Sequence, residues 1–276
     1  MEDIYSVLNT AEAILITAGA GMGVDSGLPD FRGEEGFWRA YPLLKEKGLR
    51  FEKIATSHLF KTDPSLAWAF YGQRLSLYRN TTPHEGFHYL KKLVEEKNNN
   101  YFIYTSNVDG QFQKAGFDEE KIVEVHGSIH HLQCTNPCKK KIWSAKDTTV
   151  QVDLENFLAL NIPICQHCGS IARPNILMFG DWLLWNDKRY NQQKALYNKW
   201  LKKNKKAHIV IIEIGAGTTI PTIRYESERV VKQFINAYLI RINPHDSVLD
   251  KRIKRGMSMA RGGLEGILNL MNFKIN

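Results

Sequence analysis

Five short apolar runs constrain this 276-residue chain most: "AILITAG" (13–19), "NYFIYTSN" (100–107), "KIVEVHG" (121–127), "HIVIIEIGAG" (208–217) and "AYLIRIN" (237–243). Most are rich in β-branched or aromatic residues and end on glycine or a polar residue, as strands buried on both faces of a parallel sheet do. "NILMFGD" (175–181) is a weaker sixth. Helical patterns stand between them, among them "EGFHYLKKLVEEK" (85–97) and "YESERVVKQFINA" (225–237). Strands alternating with helices predict an open α/β sheet whose ligands bind beyond the carboxyl ends of the strands.

Two stretches break the rhythm. Residues 36–84 read as mostly helical and aromatic-rich, and residues 130–171 carry all four cysteines and the polar segment "KKKIWSAKDTTVQVD". Both are expected to form a smaller module over the sheet, a helical insertion and a cysteine module, leaving 1–35, 85–129 and 172–276 to the large domain. Hydrophobic residues make up 43% of the chain, enough for a sizeable core. No apolar run approaches the ~18–20 residues of a membrane helix, and the opening "MEDIYSVLNTAEAILITAG" lacks a basic segment before a long apolar one. The expectation is a soluble, cytoplasmic chain without a membrane partner. A net charge of +8 suits acidic partners, nucleic acid or a phosphate-rich cofactor. The basic residues are scattered, however, and the dense run "KKNKK" (202–206) reads as a solvated linker before a strand.

The first run opens into "AGAGMGVDSGLPDFRG" (18–33). Gly19, Gly21 and Gly23 follow the strand directly, where missing side chains let backbone N–H groups approach a pyrophosphate. The spacing is not G-x-G-x-x-G, and a merely structural turn is the competing reading. Gly27-Leu28-Pro29 stops a simple helix, so Asp30, Phe31 and Arg32 are expected on a shaped loop beside a ligand. A ring face there suits a developing cation and a guanidinium suits a phosphate.

Further strand ends carry chemistry. In "YTSNVDGQFQKAGF" (104–117), Asn107 and Asp109 stand two apart, an amide and a carboxylate that can grip a carboxamide; the plainer reading is a helix cap. "EVHGSIH" (124–130) puts His126 at a third strand end, with a pKa suited to taking a hydroxyl proton near neutrality. His130 and His131 read as surface or packing residues. Cys134-x3-Cys138 and Cys165-x2-Cys168 form two short hooks of the kind that closes on tetrahedral zinc; buried or redox-active thiols are the alternative.

Together these motifs resemble the sirtuins. Gly19, Ala20, Gly21, Ser26, Gly27, Pro29, Phe31 and Arg32 match the family's N-terminal signature, with Ala18 and Gly23 departing from it. Asn107 and Asp109 match its Thr-Gln-Asn-Ile-Asp segment, with Ser106 replacing Gln, and His126-Gly127 match its His-Gly dipeptide. "ARPNILMFGD" (172–181) resembles the segment lining the family's acyl-lysine tunnel, which makes Ile176 and Leu177 tunnel residues and Phe179 and Gly180 substrate contacts. "IGAGTT" (214–219) resembles the Gly-Thr-Ser loop, assigning Gly217 and Thr218, and "RIN" (241–243) places Asn243 at the adenosine ribose. After Thr219 the family's Val-x-Pro pattern gives way to "IPTIR".

The resemblance implies a Rossmann-like open parallel sheet with helices on both faces and a small zinc module. It implies an NAD-dependent protein-lysine deacylase that consumes NAD as co-substrate and holds one structural zinc. Its cofactor-binding residues would be Gly19, Ala20, Gly21, Asp30, Phe31, Arg32, Ser106, Asn107, Asp109, Gly217, Thr218 and Asn243, and its catalytic residues His126 and Asn107. Mono-ADP-ribosyl transfer or NAD hydrolysis in the same pocket is the runner-up. A nucleic-acid module is disfavoured, because "KKK" (139–141) near Trp143 is the only basic cluster by the cysteines. Finally, Tyr71 and Arg74 in "WAFYGQRLSLYR" (68–79) share a helix face and resemble the Tyr-x-x-Arg element that selects succinyl- and malonyl-lysine. Simple deacetylation is the default against which that element is set.

Overall fold

The computed structural model describes residues 4–30, 33–136, 138–139, 141–181 and 183–275. The chain begins with α1 (Ile4–Asn9) and β1 (Ala13–Ala18), then makes two 3-10 turns, Ala20–Met22 and Val24–Ser26. A helical run follows: α2 (Gly33–Ala40), α3 (Pro42–Glu46), α4 (Phe51–Ile54), α5 (Leu59–Thr62), α6 (Pro64–Asn80) and α7 (Glu85–Glu96). Next come β2 (Tyr101–Thr105), α8 (Gln111–Lys114), β3 (Ile122–Glu124), β4 (Gly127–Cys134), β5 (Ile142–Ser144), β6 (Val152–Asp153), β7 (Leu158–Ala159) and β8 (Ala172–Ile176). The last third is α9 (Lys188–Lys203), β9 (Ile209–Ile214), α10 (Thr222–Gln233), β10 (Tyr238–Ile242), β11 (Gly256–Met259) and α11 (Gly263–Ile275).

Six strands form one parallel sheet in the order β11-β10-β9-β1-β2-β3. Every residue of β1, β2, β9 and β10 is buried, which is why these segments read as unbroken apolar runs rather than alternating ones. Side chains alternate between the two faces. Ile14, Ile16 and Ala18 pack with α1, α7 and α11 through Leu8, Leu90, Ile267 and Leu270. Ala13 and Leu15 pack with α9 and α10 through Tyr197, Leu201, Ile223 and Val230. From β1 the chain winds out to β3 on one side and, later, to β11 on the other. The order therefore reverses beside β1, and a crevice opens there at the carboxyl ends.

A second core lies outside this sheet. Phe37, Tyr41, Phe60, Trp68, Phe70 and Tyr71 meet Ile129, Leu132, Ala172 and Ile176 in one aromatic cluster. α6 runs through it and buries side chains around most of its circumference. Asp63 caps that helix, its Oδ1 accepting from Leu66 N–H at 3.0 Å, and Pro64 takes the first position. Among the described residues no helix is long and apolar enough to cross a membrane.

Three expectations need correction. The 175–181 segment is not a parallel strand: β8 ends at Ile176 and pairs antiparallel with β4, in the order β5-β4-β8. The sixth parallel strand is β11, whose "GMSM" is too short and polar to stand out. Lys202 and Lys203 are not linker but the end of α9, where positive charge complements the helix dipole.

Buried polar groups brace the turn after β8. Arg173 and Asp181, both essentially inaccessible, form a two-pronged pair, one prong at 2.8 Å from Nη1 to Oδ1, while Nη2 also donates to Ile176 O at 2.7 Å. Arg173→Met strands the carboxylate in the core and is expected to cost about 3–5 kcal/mol, read from urea denaturation. Adding Asp181→Leu should recover much of that loss.

Candidate active site

The residues picked out by the strand-end motifs converge on the crevice beside β1. Gly19 and Gly21 pack face to face with the turn after β9. A Cβ on either would lie 2.6 Å from Gly215 backbone atoms. Gly19 N–H donates to Ile214 O at 3.0 Å and Gly21 N–H to Gly215 O at 3.1 Å. Two of the loop's donors are thus spent on joining β1 to β9, and the glycines are required by that seam. Ala20, exposed at the start of its 3-10 turn, has no intrahelical acceptor for its N–H. Asp30 is partly exposed where the loop leaves the seam. Phe31 and Arg32 lie outside the described residues.

The end of β2 is stitched to the same loop. Ser106 N–H and Thr105 Oγ1 both donate to Ala18 O, at 3.1 and 2.9 Å. Asn107 Nδ2 donates to Gly19 O at 3.0 Å, so this amide faces the glycine loop. Asp109 Oδ1 accepts from Gln111 N–H at 2.9 Å, a local turn contact just before α8, whose N-cap is Gly110. Burial pushes the Asp109 carboxyl up to about 6, with Glu124 adding to the rise and the Gln111 bond and Arg74 opposing it. Gripping a carboxamide N–H would hold this group ionised.

His126 follows β3, half-buried, and its own carbonyl accepts from Leu177 N–H at 2.9 Å. That bond fixes the start of the 177–181 turn to the His126 backbone. Gly127, at φ 77°, permits the approach, because a Cβ there would lie 2.0 Å from Asn175 O. Burial pushes the His126 pKa down, opposed by a hydrogen bond to the Ser106 backbone. Ile176 is buried, Leu177 partly exposed, and Phe179 and Gly180 lie open at the surface. Phe179 N–H donates to Ala55 O at 3.0 Å and its ring meets Phe51 edge-on at 5.8 Å, anchoring the turn to the helical insertion.

Tyr71 and Arg74 do share a face of α6, inside the aromatic core. Tyr71 stacks on Phe60 at 5.6 Å. The Arg74 guanidinium lies over the rings of Phe70, Tyr71 and Tyr78 and donates to Tyr78 Oη from Nε at 3.0 Å and from Nη2 at 2.6 Å.

At the adenosine end, Gly217 and Thr218 are exposed, and Asn243 is buried. Asn243 Nδ2 donates to Ala216 O at 2.9 Å, and its Oδ1 accepts from His245 and Asp246 N–H, at 3.0 and 2.9 Å. Arg224, a residue of the segment where the family pattern lapses, reaches Ala216 O at 3.3 Å and Asp246 O at 2.8 Å from Nη1. It ties together the loops after β9 and β10. Its role rests on backbone carbonyls in two separate loops, which any residue there supplies, so no spacing in the sequence announces it.

The four cysteines come together as their spacing suggested. All four Sγ atoms lie within 4.8 Å of one another, with Cys134–Cys168 at 3.5 Å and Cys138–Cys165 at 3.7 Å. A tetrahedron of thiolates at about 2.3 Å from zinc has edges of about 3.8 Å, so the donor set fits that ion and leaves no coordination position open.

A parallel sheet reversing at a glycine seam, with a closed thiolate site on an inserted module, defines a nucleotide-binding α/β protein with a structural metal. The model of the Sir2 family matches residues 19–219. A Leptospira interrogans protein named NAD-dependent protein deacylase is 30% identical over 86% of this chain and 83% of its own length. One of the same name from Aquifex aeolicus is 29% identical over 86% of each chain. The chain belongs to the Sir2 family. In architecture it matches a Sir2 homologue solved with NAD at a TM-score of 0.72 and 23% identity, over 100% of this chain and 94% of that one.

Purified protein is expected to contain about one zinc per chain by metal analysis. Cys165→Ser should cost solubility and cooperative unfolding rather than slow chemistry selectively, because a closed site contributes folding energy.

Proposed function

We propose that the chain is an NAD-dependent protein-lysine deacylase. The observation that carries the reading is convergence. The glycine loop, the Asn107 amide and His126, from the ends of three strands, meet in the crevice beside β1, and the 177–181 turn is hydrogen-bonded to the His126 backbone. Supporting it are membership of the Sir2 family and relatives named for this activity.

In this mechanism NAD is consumed. The acyl oxygen of the substrate lysine attacks the ribose carbon as nicotinamide departs. Asn107 and Asp109 hold the carboxamide. His126 takes a proton from a ribose hydroxyl, the resulting oxygen attacks the acyl carbon, the proton passes to the departing lysine amine, and a water molecule adds at the acyl carbon to give acyl-ADP-ribose. Ile176 and Leu177 line the acyl-lysine path. Cys134, Cys138, Cys165 and Cys168 would hold zinc, which would stabilise the module, with no position left open for a reacting group. Mass spectrometry of products from NAD and a panel of acyl-lysine peptides tests the reading: acyl-ADP-ribose supports it, whereas ADP-ribosylated protein assigns the transferase chemistry instead.

His126→Ala is expected to lower kcat about 10²–10⁴-fold while NAD affinity changes little, since general-base catalysis contributes that much. The base is the neutral imidazole, and burial lowers its pKa from the usual 6.5. The acid limb of kcat/KM should therefore lie below about 6.5 in the wild type and vanish in the variant.

For the acyl chain we propose a short uncharged group. To take a terminal carboxylate, Arg74 would have to exchange its bonds to Tyr78 inside an aromatic core. Arg74→Met is then expected to lower stability and leave the ratio of succinyl- to acetyl-lysine activity unchanged. A ten- to hundredfold fall in that ratio, roughly the 1.5–3 kcal/mol of a charge-assisted bond, would give Arg74 the carboxylate role.

A further inference from the structure

His84 caps α7 and makes three polar contacts. Its backbone N–H donates to Ser26 Oγ at 2.9 Å, its Nε2 meets Met22 O at 2.9 Å, and its Nδ1 meets Gly86 N at 3.0 Å. A carbonyl can only accept and a backbone N–H can only donate, so Nε2 carries the proton and Nδ1 is bare. The ring is held neutral in one tautomer. Burial favours the same form, pushing the imidazole pKa down; the charged and titratable groups that act on it are Asp25 and His88.

The ring sits in a made slot. It packs on Phe87 at 4.9 Å, and a Cβ at Gly86 would lie 2.6 Å from its Cε1 and 2.9 Å from Ile267 Cδ1. Only one of its two nitrogens serves the helix. The other, with the backbone N–H, reaches Met22 and Ser26, which bracket the second 3-10 turn of the glycine loop. That turn has little packing of its own: Val24, Asp25 and Gly27 are exposed. On its far side Asp25 Oδ2 accepts from Leu264 N–H at 2.8 Å, at the start of α11. The loop hangs between two helices, and His84 is its anchor on α7.

We infer that His84 is a positioning residue for NAD: it fixes the glycine loop through Met22 and Ser26 in the shape that receives the cofactor. The inference rests on the reading of that loop as the NAD site. Two substitutions separate its two nitrogens. In His84→Asn the amide oxygen stands near the Nδ1 position, so the cap on Gly86 survives, but the side chain is too short for Met22. In His84→Gln an amide N–H reaches toward Met22 while the cap is lost. His84→Asn is therefore expected to melt near the wild-type temperature yet raise the KM and calorimetric Kd for NAD roughly five- to hundredfold, with KM for the acyl peptide unchanged. His84→Gln should melt lower and bind NAD close to wild type.

Unchanged NAD binding in His84→Asn, or equal rises in KM for both substrates, overturns the positioning role and leaves His84 a helix cap. Wild-type protein that takes up no NAD in the same titration would instead overturn the assignment of the loop, and the inference with it.

Discussion

The contact on which the site depends is the seam between Gly19, Gly21 and Gly215. Backbone meets backbone there at a distance that no side chain tolerates, and the two N–H bonds across it fix how far β1 and β9 project beyond the sheet. The other strand ends are registered against this point. Asn107 reaches Gly19 O, and Asn243 and Arg224 both reach Ala216 O. Strand-end chemistry needs such a fixed edge, because a loop free to drift by an ångström would separate His126 from a bound ribose.

Burial is distributed in a way that separates holding from reacting. The buried arginines beside the aromatic core have partners: Arg173 pairs with Asp181, and Arg74 lies among aromatic rings. Each would be costly in the core without its partner. Of the proposed reacting groups, Asn107 and Asp109 are buried and His126 half-buried, and burial biases the two titratable ones individually. It keeps His126 neutral for proton abstraction and lifts the Asp109 carboxyl toward neutrality until a ligand N–H arrives.

The legible parts of the fold were those written in local pattern. β1, β2, β9 and β10 are apolar throughout and could be drawn from the sequence, and the two cysteine hooks announce their own closure by spacing. β11 and α9 escaped for opposite reasons. The first is four residues of small and sulfur side chains, and the second is so rich in lysine, asparagine and glutamine that only Gln193, Tyr197 and Leu201 are buried. Asp25, His84 and Arg224 are illegible because each acts on a backbone group outside its own element, a contact that any sequence at that backbone position supplies equally well. The glycines of the loop suggest phosphate binding by their position after a strand; their packing against Gly215 depends on a second strand about 190 residues away, which no local pattern shows.

The strand order also sets a schedule. β1 is made first, yet Ala13 pairs with Ile209 on one side and Ile14 with Tyr101 on the other. While the chain leaves the ribosome, the first half-sheet can form and must then wait, one flank of β1 bare, until the whole zinc module and α9 have been synthesised. A buried strand with an open edge is a template for pairing with other chains. The same interleaving that puts the glycine seam at the centre of the sheet leaves one flank of a fully buried strand unpaired until the last third of the chain has been made.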